Sequence, residues 1–152
     1  MTTRYYLMKS EPSEFSIHDL ETKGEALWDG IRNYQVRNLI RDTIQVGDKA
    51  LFYHSSCQDV GVVGEMEVAG VPVPDPTQFD PQSHYFDPKS SKDNPRWLAL
   101  PVRHVRTWGR VVSLAAIRNN PVLKNMTILR PGNRLSITEI TKEEYQTLVK
   151  MK

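Results

Sequence analysis

Apolar residues along the chain recur in runs of strand length and at helical spacing, and the change from one to the other marks the predicted elements. Residues 4–8 form an apolar, aromatic run of one strand's length that stops at Lys9-Ser10-Glu11-Pro12. The proline keeps Glu11 out of the α region, so the chain leaves the strand extended and turns. Ser16 stands where an N-cap belongs, with Asp19 at the capping-box position and Phe15 and Leu20 placed as a hydrophobic staple. The short helix it opens ends near Gly24, with His18 on its surface. Asp29-Gly30 is a turn signal, and from Tyr34 onward Val36, Leu39 and Ile40 recur at helical spacing. That stretch reads as a turn feeding a short amphipathic helix.

Gly47-Asp48 makes a tight turn into a strand at residues 49–54. The next run, residues 60–68, alternates apolar and acidic positions in its second half and carries Gly61 and Gly64, which predict a bulge or a close backbone approach. The two runs are expected as a hairpin or as near neighbours in a sheet. Six prolines fall within the 24 residues from Pro72 to Pro95, leaving no room for a central strand or a long helix. Phe79, Tyr85, Phe86 and Trp97 give this excursion aromatic anchors, so it reads as a structured packing or functional loop. A strand over residues 97–105 follows, and residues 108–112 either continue it or form a following strand after a kink at Thr107. Ser113 caps a short helix that Pro121 ends, and residues 122–128 hold another helical turn or two. A last strand is expected over residues 134–137. Thr141 and Glu144 form the capping box of a final helix packed through Tyr145, Leu148 and Val149. This order lacks a regular βαβ rhythm and predicts an α+β fold, a mixed sheet or small barrel decorated by short helices.

At 152 residues the chain should bury roughly two-thirds of its unfolded surface, enough for one core, so residues 1–152 are expected as a single domain. No apolar run is long enough to span a bilayer and no secretory signal opens the chain, so an intracellular protein with no membrane partner is expected. Cys57 is the only cysteine, which excludes an internal disulfide and a four-cysteine metal site. The net charge of +2 changes little, but its distribution does. Residues 59–87 hold six acids and no lysine or arginine, whereas residues 89–118 hold seven basic residues against Asp93. Kept on different faces, these segments would give the protein one basic side.

Phosphate-loop, dinucleotide, zinc-protease and nucleophile-elbow motifs are absent, and the four histidines are scattered without ligand spacing. No catalytic residue, metal or cofactor is therefore expected. What rises above background is four polar-aromatic clusters at element ends: Lys9-Ser10-Glu11-Pro12, residues 28–34 (Trp28-Asp29-Gly30-Ile31-Arg32-Asn33-Tyr34), Tyr53-His54-Ser55, and Asp87-Pro88-Lys89-Ser90 with Pro95-Arg96-Trp97. Strand ends on one rim of a small barrel converge, so the clusters could line one pocket. Arg32 is expected to support the pocket wall through Asp29 or Glu11, and Arg37 to face solvent.

Tyr6-Leu7-Met8-Lys9-Ser10-Glu11-Pro12, residues 28–35, Gly47-Asp48 followed by Phe52-Tyr53-His54-Ser55, and Phe86-Asp87-Pro88-Lys89-Ser90 with Pro95-Arg96-Trp97, in this order, resemble the motifs of the EVE-domain family, the thymocyte nuclear protein-like group, and the resemblance covers essentially the entire chain. The resemblance implies a PUA-like pseudo-barrel surrounded by short helices, similar to the YTH domains that bind N6-methyladenine and more distantly to domains that read methylated cytosine. It implies a partner that is DNA or RNA containing a modified base. It carries the family's pocket residues to Lys9, Ser10, Trp28, Asn33, Tyr53, His54 and Ser55, and further to Arg96 and Trp97. Eukaryotic members usually carry a basic tail ahead of the domain; here the domain begins at residue 4, so a bacterial-type stand-alone, cytoplasmic form is expected. A monomer is also expected.

The residues suit a reader of a base better than an enzyme. Trp28 supplies a stacking platform, while Ser10 and Asn33 can pair with a base edge. Lys9, Arg32, Lys89 and Arg96 would hold phosphates. A buried methyl group adds only about 0.8 kcal/mol from its area, so discrimination must come from an unpaired donor or a clash. Two alternatives belong to other classes. One is an enzyme acting on a modified nucleotide or nucleoside through His54. The other is a structural or protein-interaction domain, which would bury Trp28 and Trp97 in the core and lack a cleft joining the clusters.

Overall fold

A computed structural model describes residues 2–152. Strand β1, Tyr5–Ser10, leads to helix α1, Ile17–Lys23, whose capping box is made by Ser16 and Asp19. Strand β2 is Glu25–Trp28 and helix α2 is Tyr34–Asp42. Strands β3, Lys49–His54, and β4, Gly61–Val68, pair antiparallel, and the two-residue β5, Val73–Pro74, opens the proline-rich excursion. A 3₁₀ turn at Pro76–Phe79 is the only helical piece there among the described residues, as the prolines require. The long strand β6, Leu98–Ser113, runs into helix α3, Leu114–Arg118; strand β7, Ile137–Ile140, precedes helix α4, Lys142–Met151.

The sheet order is β2-β6-β4-β3-β1-β7, with β5 pairing the start of β6. Among the described residues only β1 and β3 are parallel, Tyr5 opposite Lys49 through Ser10 opposite His54; the other pairs are antiparallel. Both faces of the sheet are covered, which is why the runs in β1 and β3 are continuously apolar. Tyr6, Met8, Ala50 and Phe52 pack with Trp28 and the buried sides of α1 and α2. Leu7, Leu51 and Tyr53 pack on the opposite face with Trp108, Ile117 of α3 and Leu148 of α4. The α+β expectation holds, as a mixed sheet with short helices on both sides.

Three elements differ from their expected form. β2 has no reading of its own in the sequence, because four residues between Gly24 and Asp29-Gly30 are too short for a period to show. The last strand begins at Ile137 instead of residue 134: Pro131-Gly132 makes a turn and Asn133 Oδ1 accepts the Leu135 N–H at 3.2 Å, holding Arg134 and Leu135 in a loop. The two segments expected either side of Thr107 form one strand, and the irregularity falls just after it. Val62 pairs with Val112 and Gly64 with Thr107, so residues 108–111 bulge off the β4 ladder. The bulge expected near Gly61 and Gly64 is thus present, with most of its extra length on β6. Close approach is also met: a Cβ on Gly64 would lie 2.6 Å from the Arg106 carbonyl.

Candidate binding cleft

The parallel pairing of β1 and β3 sets the ends of both strands side by side, where the Ser55 N–H donates to the Ser10 carbonyl at 3.0 Å. The chain then turns at Glu11-Pro12, and the Ser10 hydroxyl donates to the Phe15 carbonyl at 2.7 Å. That bond brings the Phe15 ring edge-on to Trp28, with centroids 6.3 Å apart, and Trp28 in turn stands edge-on to Phe52 at 5.1 Å. Trp28 is only 5 % exposed. It forms an inner wall of a cleft and is at the same time part of the core.

The opposite wall comes from the proline-rich excursion. Gly30 adopts φ 77°, and a Cβ there would meet the Tyr85 ring at 2.8 Å, so the tyrosine lies flat against the turn. The Tyr85 hydroxyl donates to Glu14 Oε2 at 2.8 Å, and burial followed by that carboxylate pushes its pKa up to about 12. Between the walls lies a cleft of about 910 Å³, lined by Lys9, Ser10, Phe15, Trp28, Ser55 and Tyr85 among others. Lys9 is half-buried, and among the described residues its ammonium has no carboxylate partner. Burial holds its pKa below the ordinary lysine value. Such a cleft offers apolar ring faces, one poorly solvated cation and a rim of carboxylates that includes Asp29, whose own pKa is raised, by burial first and then by Asp75.

Behind the Tyr85 wall, Asp75 is fully buried and accepts from the Gly30 N–H at 2.8 Å, the Thr77 N–H at 2.8 Å, the Thr77 hydroxyl and the Arg32 guanidinium at 3.0 Å. Burial alone would raise its pKa; the Thr77 hydroxyl, the Gly30 N–H and Arg32 outweigh it and keep the carboxyl below its ordinary value. Arg32 donates from Nε and both terminal nitrogens, to Asp75, Thr77, the Ile31 carbonyl and twice to the Tyr85 carbonyl. Those five bonds use every N–H a guanidinium has. Arg32 also lies 5.4 Å from the ring centroids of Tyr85 and Trp97, Trp97 stacks on Tyr34 at 4.6 Å, and Arg37 covers Tyr34 at 4.7 Å. Alternating cations and rings therefore brace the cleft wall against α2.

The sequence matches the EVE domain over residues 4–151. The chain belongs to the EVE-domain family. Human thymocyte nuclear protein 1 is 37 % identical over 166 residues, an alignment covering 97 % of this chain and 73 % of that protein. The crystal structure of human THYN1 in complex with 5-methylcytosine-containing DNA superposes with a TM-score of 0.89 at 36 % identity, covering 98 % of this chain and 97 % of that one. A protein from Pseudomonas syringae superposes at 0.93 with 41 % identity, over 97 % and 98 % of the two chains. The human and mouse relatives carry a nuclear name, which overturns the expectation of a purely cytoplasmic protein.

Of the site residues carried over from the EVE family, Lys9, Ser10, Trp28 and Ser55 line the cleft. The others lie elsewhere. Asn33 caps α2, its Oδ1 accepting the Val36 N–H at 3.1 Å. Tyr53 is buried on the far face of the sheet, because alternation along β3 turns it away from Phe52. His54 faces an adjoining cavity and accepts the Ile17 N–H on Nε2 at 3.1 Å; burial and then the nearby His18 hold its pKa down. Trp97 is 5 % exposed and donates its Nε1–H to Asp87 at 2.8 Å. Arg96 meets the excursion through its backbone, and Lys89 is exposed. Arg32 has no donor left for a phosphate, its partner is Asp75 instead of Asp29 or Glu11, and Arg37 is half-buried instead of solvent-facing.

Sequence reasoning missed Phe15 and Tyr85 as walls and Asp75 as the anchor behind Tyr85. Asp75-Pro76 carries the signal of an N-cap followed by proline at the first helical position. The acidic and basic segments also do not separate into faces: β4 lies beside β6, and Glu67 pairs with Arg103 at 2.7 Å.

Proposed function

We propose that this EVE domain binds DNA or RNA containing a modified base, methylated cytosine first and methylated adenine second, by taking the base into the cleft between Trp28, Phe15 and Tyr85 without turning it over. The half-buried ammonium of Lys9, without a carboxylate partner among the described residues, carries this reading inside an aromatic-walled cleft. Such a cation must find an acceptor in the ligand, and a base carbonyl, a ring nitrogen or the flanking phosphate provides one. The relative crystallised with 5-methylcytosine DNA supports the choice of ligand. Ser10 and Ser55 offer hydroxyl oxygens at the rim, and the carboxylates suit the exocyclic amine of cytosine or adenine.

Neither alternative draws equal support. His54 spends Nε2 on a backbone N–H and lies outside the cleft, which leaves it positioning α1. The interaction-domain reading is met in the burial of Trp28 and Trp97, but a cleft joins three of the four clusters. Oligonucleotides differing at one base (cytosine, 5-methylcytosine, adenine, N6-methyladenine), as DNA and as RNA, test the proposal against wild type and Tyr85→Ala. Trp28→Ala is unsuitable, because deleting a buried tryptophan costs about 3–5 kcal/mol of stability. Tighter binding of a modified strand that Tyr85→Ala abolishes is expected; equal affinity for every strand would overturn the reading.

A further inference from the structure

The bulge in β6 carries chemistry that the cleft does not use. Residues 108–111 leave the β4 ladder, and a cavity opens on each side of them, of about 440 Å³ and about 430 Å³. Arg106 and Arg110 lie before and within the bulge, and both are exposed. Among the described residues Arg106 makes no ion pair and no side-chain hydrogen bond, and Arg110 has only the Met151 carbonyl, at 3.0 Å.

Their freedom has a local cause. Glu65 stands opposite Arg106 in the β4–β6 register, where an acid would ordinarily neutralise it. Its carboxylate is instead turned inward, accepting the Trp108 Nε1–H at 2.8 Å and the Tyr145 hydroxyl at 3.3 Å, and its side chain is only 14 % exposed. Arg103, three residues earlier, shows the contrast, paired with Glu67 at 2.7 Å and Glu25 at 3.3 Å. The basic character of residues 89–118 therefore survives at the bulge, because Glu65 is engaged by Trp108, Tyr145 and, at 3.9 Å, Lys152, while Glu67 pairs with Arg103.

The bulge also adjoins the cleft. His54 lines the larger of the two cavities with His18 and Arg110, while Ser55, the next residue, lines the cleft. Pro12 in that cavity and Glu11 in the cleft are likewise consecutive. A chain leaving the cleft across the Glu11-Pro12 turn enters the cavity that Arg110 borders. Arg106 and Arg110 are four residues apart, at most about 13 Å along a strand, a span of about two backbone phosphates. Asp59 is the one acid among the residues lining the two cavities.

We propose that Arg106 and Arg110 form a track for the phosphodiester backbone of the strand flanking the base held in the cleft. This rests on the cleft binding a base, and it assigns the salt-dependent part of the affinity to β6, outside the pocket. Each phosphate neutralised on a single strand contributes a slope of about −0.7 in log K against log salt.

Anisotropy titrations of a single strand of about twelve nucleotides with one central 5-methylcytosine, over a range of salt, test it against the Arg106→Ala/Arg110→Ala double variant. The slope should become shallower by about 1.4, which is about twenty-five-fold in affinity at 0.1 M salt relative to 1 M. The unmethylated strand should lose the same factor, so the preference for the methylated strand is retained. Arg41→Ala, which removes an exposed arginine paired with Asp42 on α2, should leave the slope unchanged. An unaltered slope in the double variant, or an equal change in Arg41→Ala, overturns the track. If the slope falls but no strand is preferred for its methyl group, the track stands and the cleft reading fails.

Discussion

Removing the Arg32 guanidinium should cost this protein stability and ligand affinity together. Asp75 is fully buried while the Arg32 side chain is 22 % exposed, so Arg32→Ala leaves a carboxylate in the interior without its counter-charge. Breaking a buried pair from one side costs about 3–5 kcal/mol. Asp75 keeps three donors, from Gly30 and Thr77, which places the expected loss at the lower end, about 3 kcal/mol. For a chain of this length each kcal/mol lowers Tm by about 2–4 °C, so a fall of about 6–12 °C should appear in a calorimetric melt. Arg32→Lys keeps the charge but not the fork that holds both Asp75 and the Tyr85 carbonyl, and should recover less than half of that. Affinity follows because Tyr85 loses two backbone bonds and a stacking cation. Stacking of a base on an aromatic side chain is worth about 1–3 kcal/mol, so binding of a methylated strand should weaken about five- to one-hundred-and-fifty-fold. A variant that melts within about 1 °C of wild type and binds as tightly would refute the bracing role altogether.

Asp75→Asn tests the same hub by pH. Its pKa is depressed in the fold, so its ionised form stabilises the protein above the ordinary carboxylate value near about 3.9 and loses that contribution as pH falls through the lowered one. The stability gap between wild type and Asp75→Asn, from denaturant titrations, should close on acidification below about pH 4; a gap independent of pH contradicts the assignment. Gly30→Ala should destabilise by about 1–2 kcal/mol from the positive φ alone and push Tyr85 off the turn, weakening binding in the same titration that reports on Tyr85→Ala. Lys9→Met should bind more weakly yet melt no lower than wild type. The folded-state pKa of Lys9 is lowered, so the charged amine opposes folding at neutral pH, and wild-type stability should rise as pH climbs toward the ordinary lysine value. Unchanged affinity in Lys9→Met removes that residue from the site.

Most of the framework was readable because it is local. The capping boxes at Ser16 and Thr141 and the cap at Ser113 each depend on residues within three positions of one another, and all three were found. The cleft was legible only at the ends of β1 and β3, where polar residues follow apolar runs, and in the Trp28-Asp29-Gly30 turn. Its far wall was hidden because Tyr85 reaches Gly30 and Glu14 across 55 and 71 positions, a distance no spacing rule spans. Asn33, Tyr53, His54 and Trp97 were placed in the pocket by motif, and each proves to serve the frame by a cap, a core face or a stack. A motif marks residues the fold cannot spare, and it does not separate those that touch a ligand from those that hold the ones that do.

The position of β1 between β3 and β7 has a consequence for the order of assembly. Its neighbours come from residues 49–54 and 137–140, so the strand that presents Lys9 and Ser10 cannot be flanked on both edges until residue 140 has left the ribosome. Contacts of such sequence separation are slow to close and are made late. Helices α1 and α2 can form early on local signals, but the cleft is completed when β7 docks. A protein arrested before residue 136 would carry the lining residues from Lys9 to Tyr85 but lack Ser136 and the β7 edge that flanks β1, so the cleft is completed only in the finished fold.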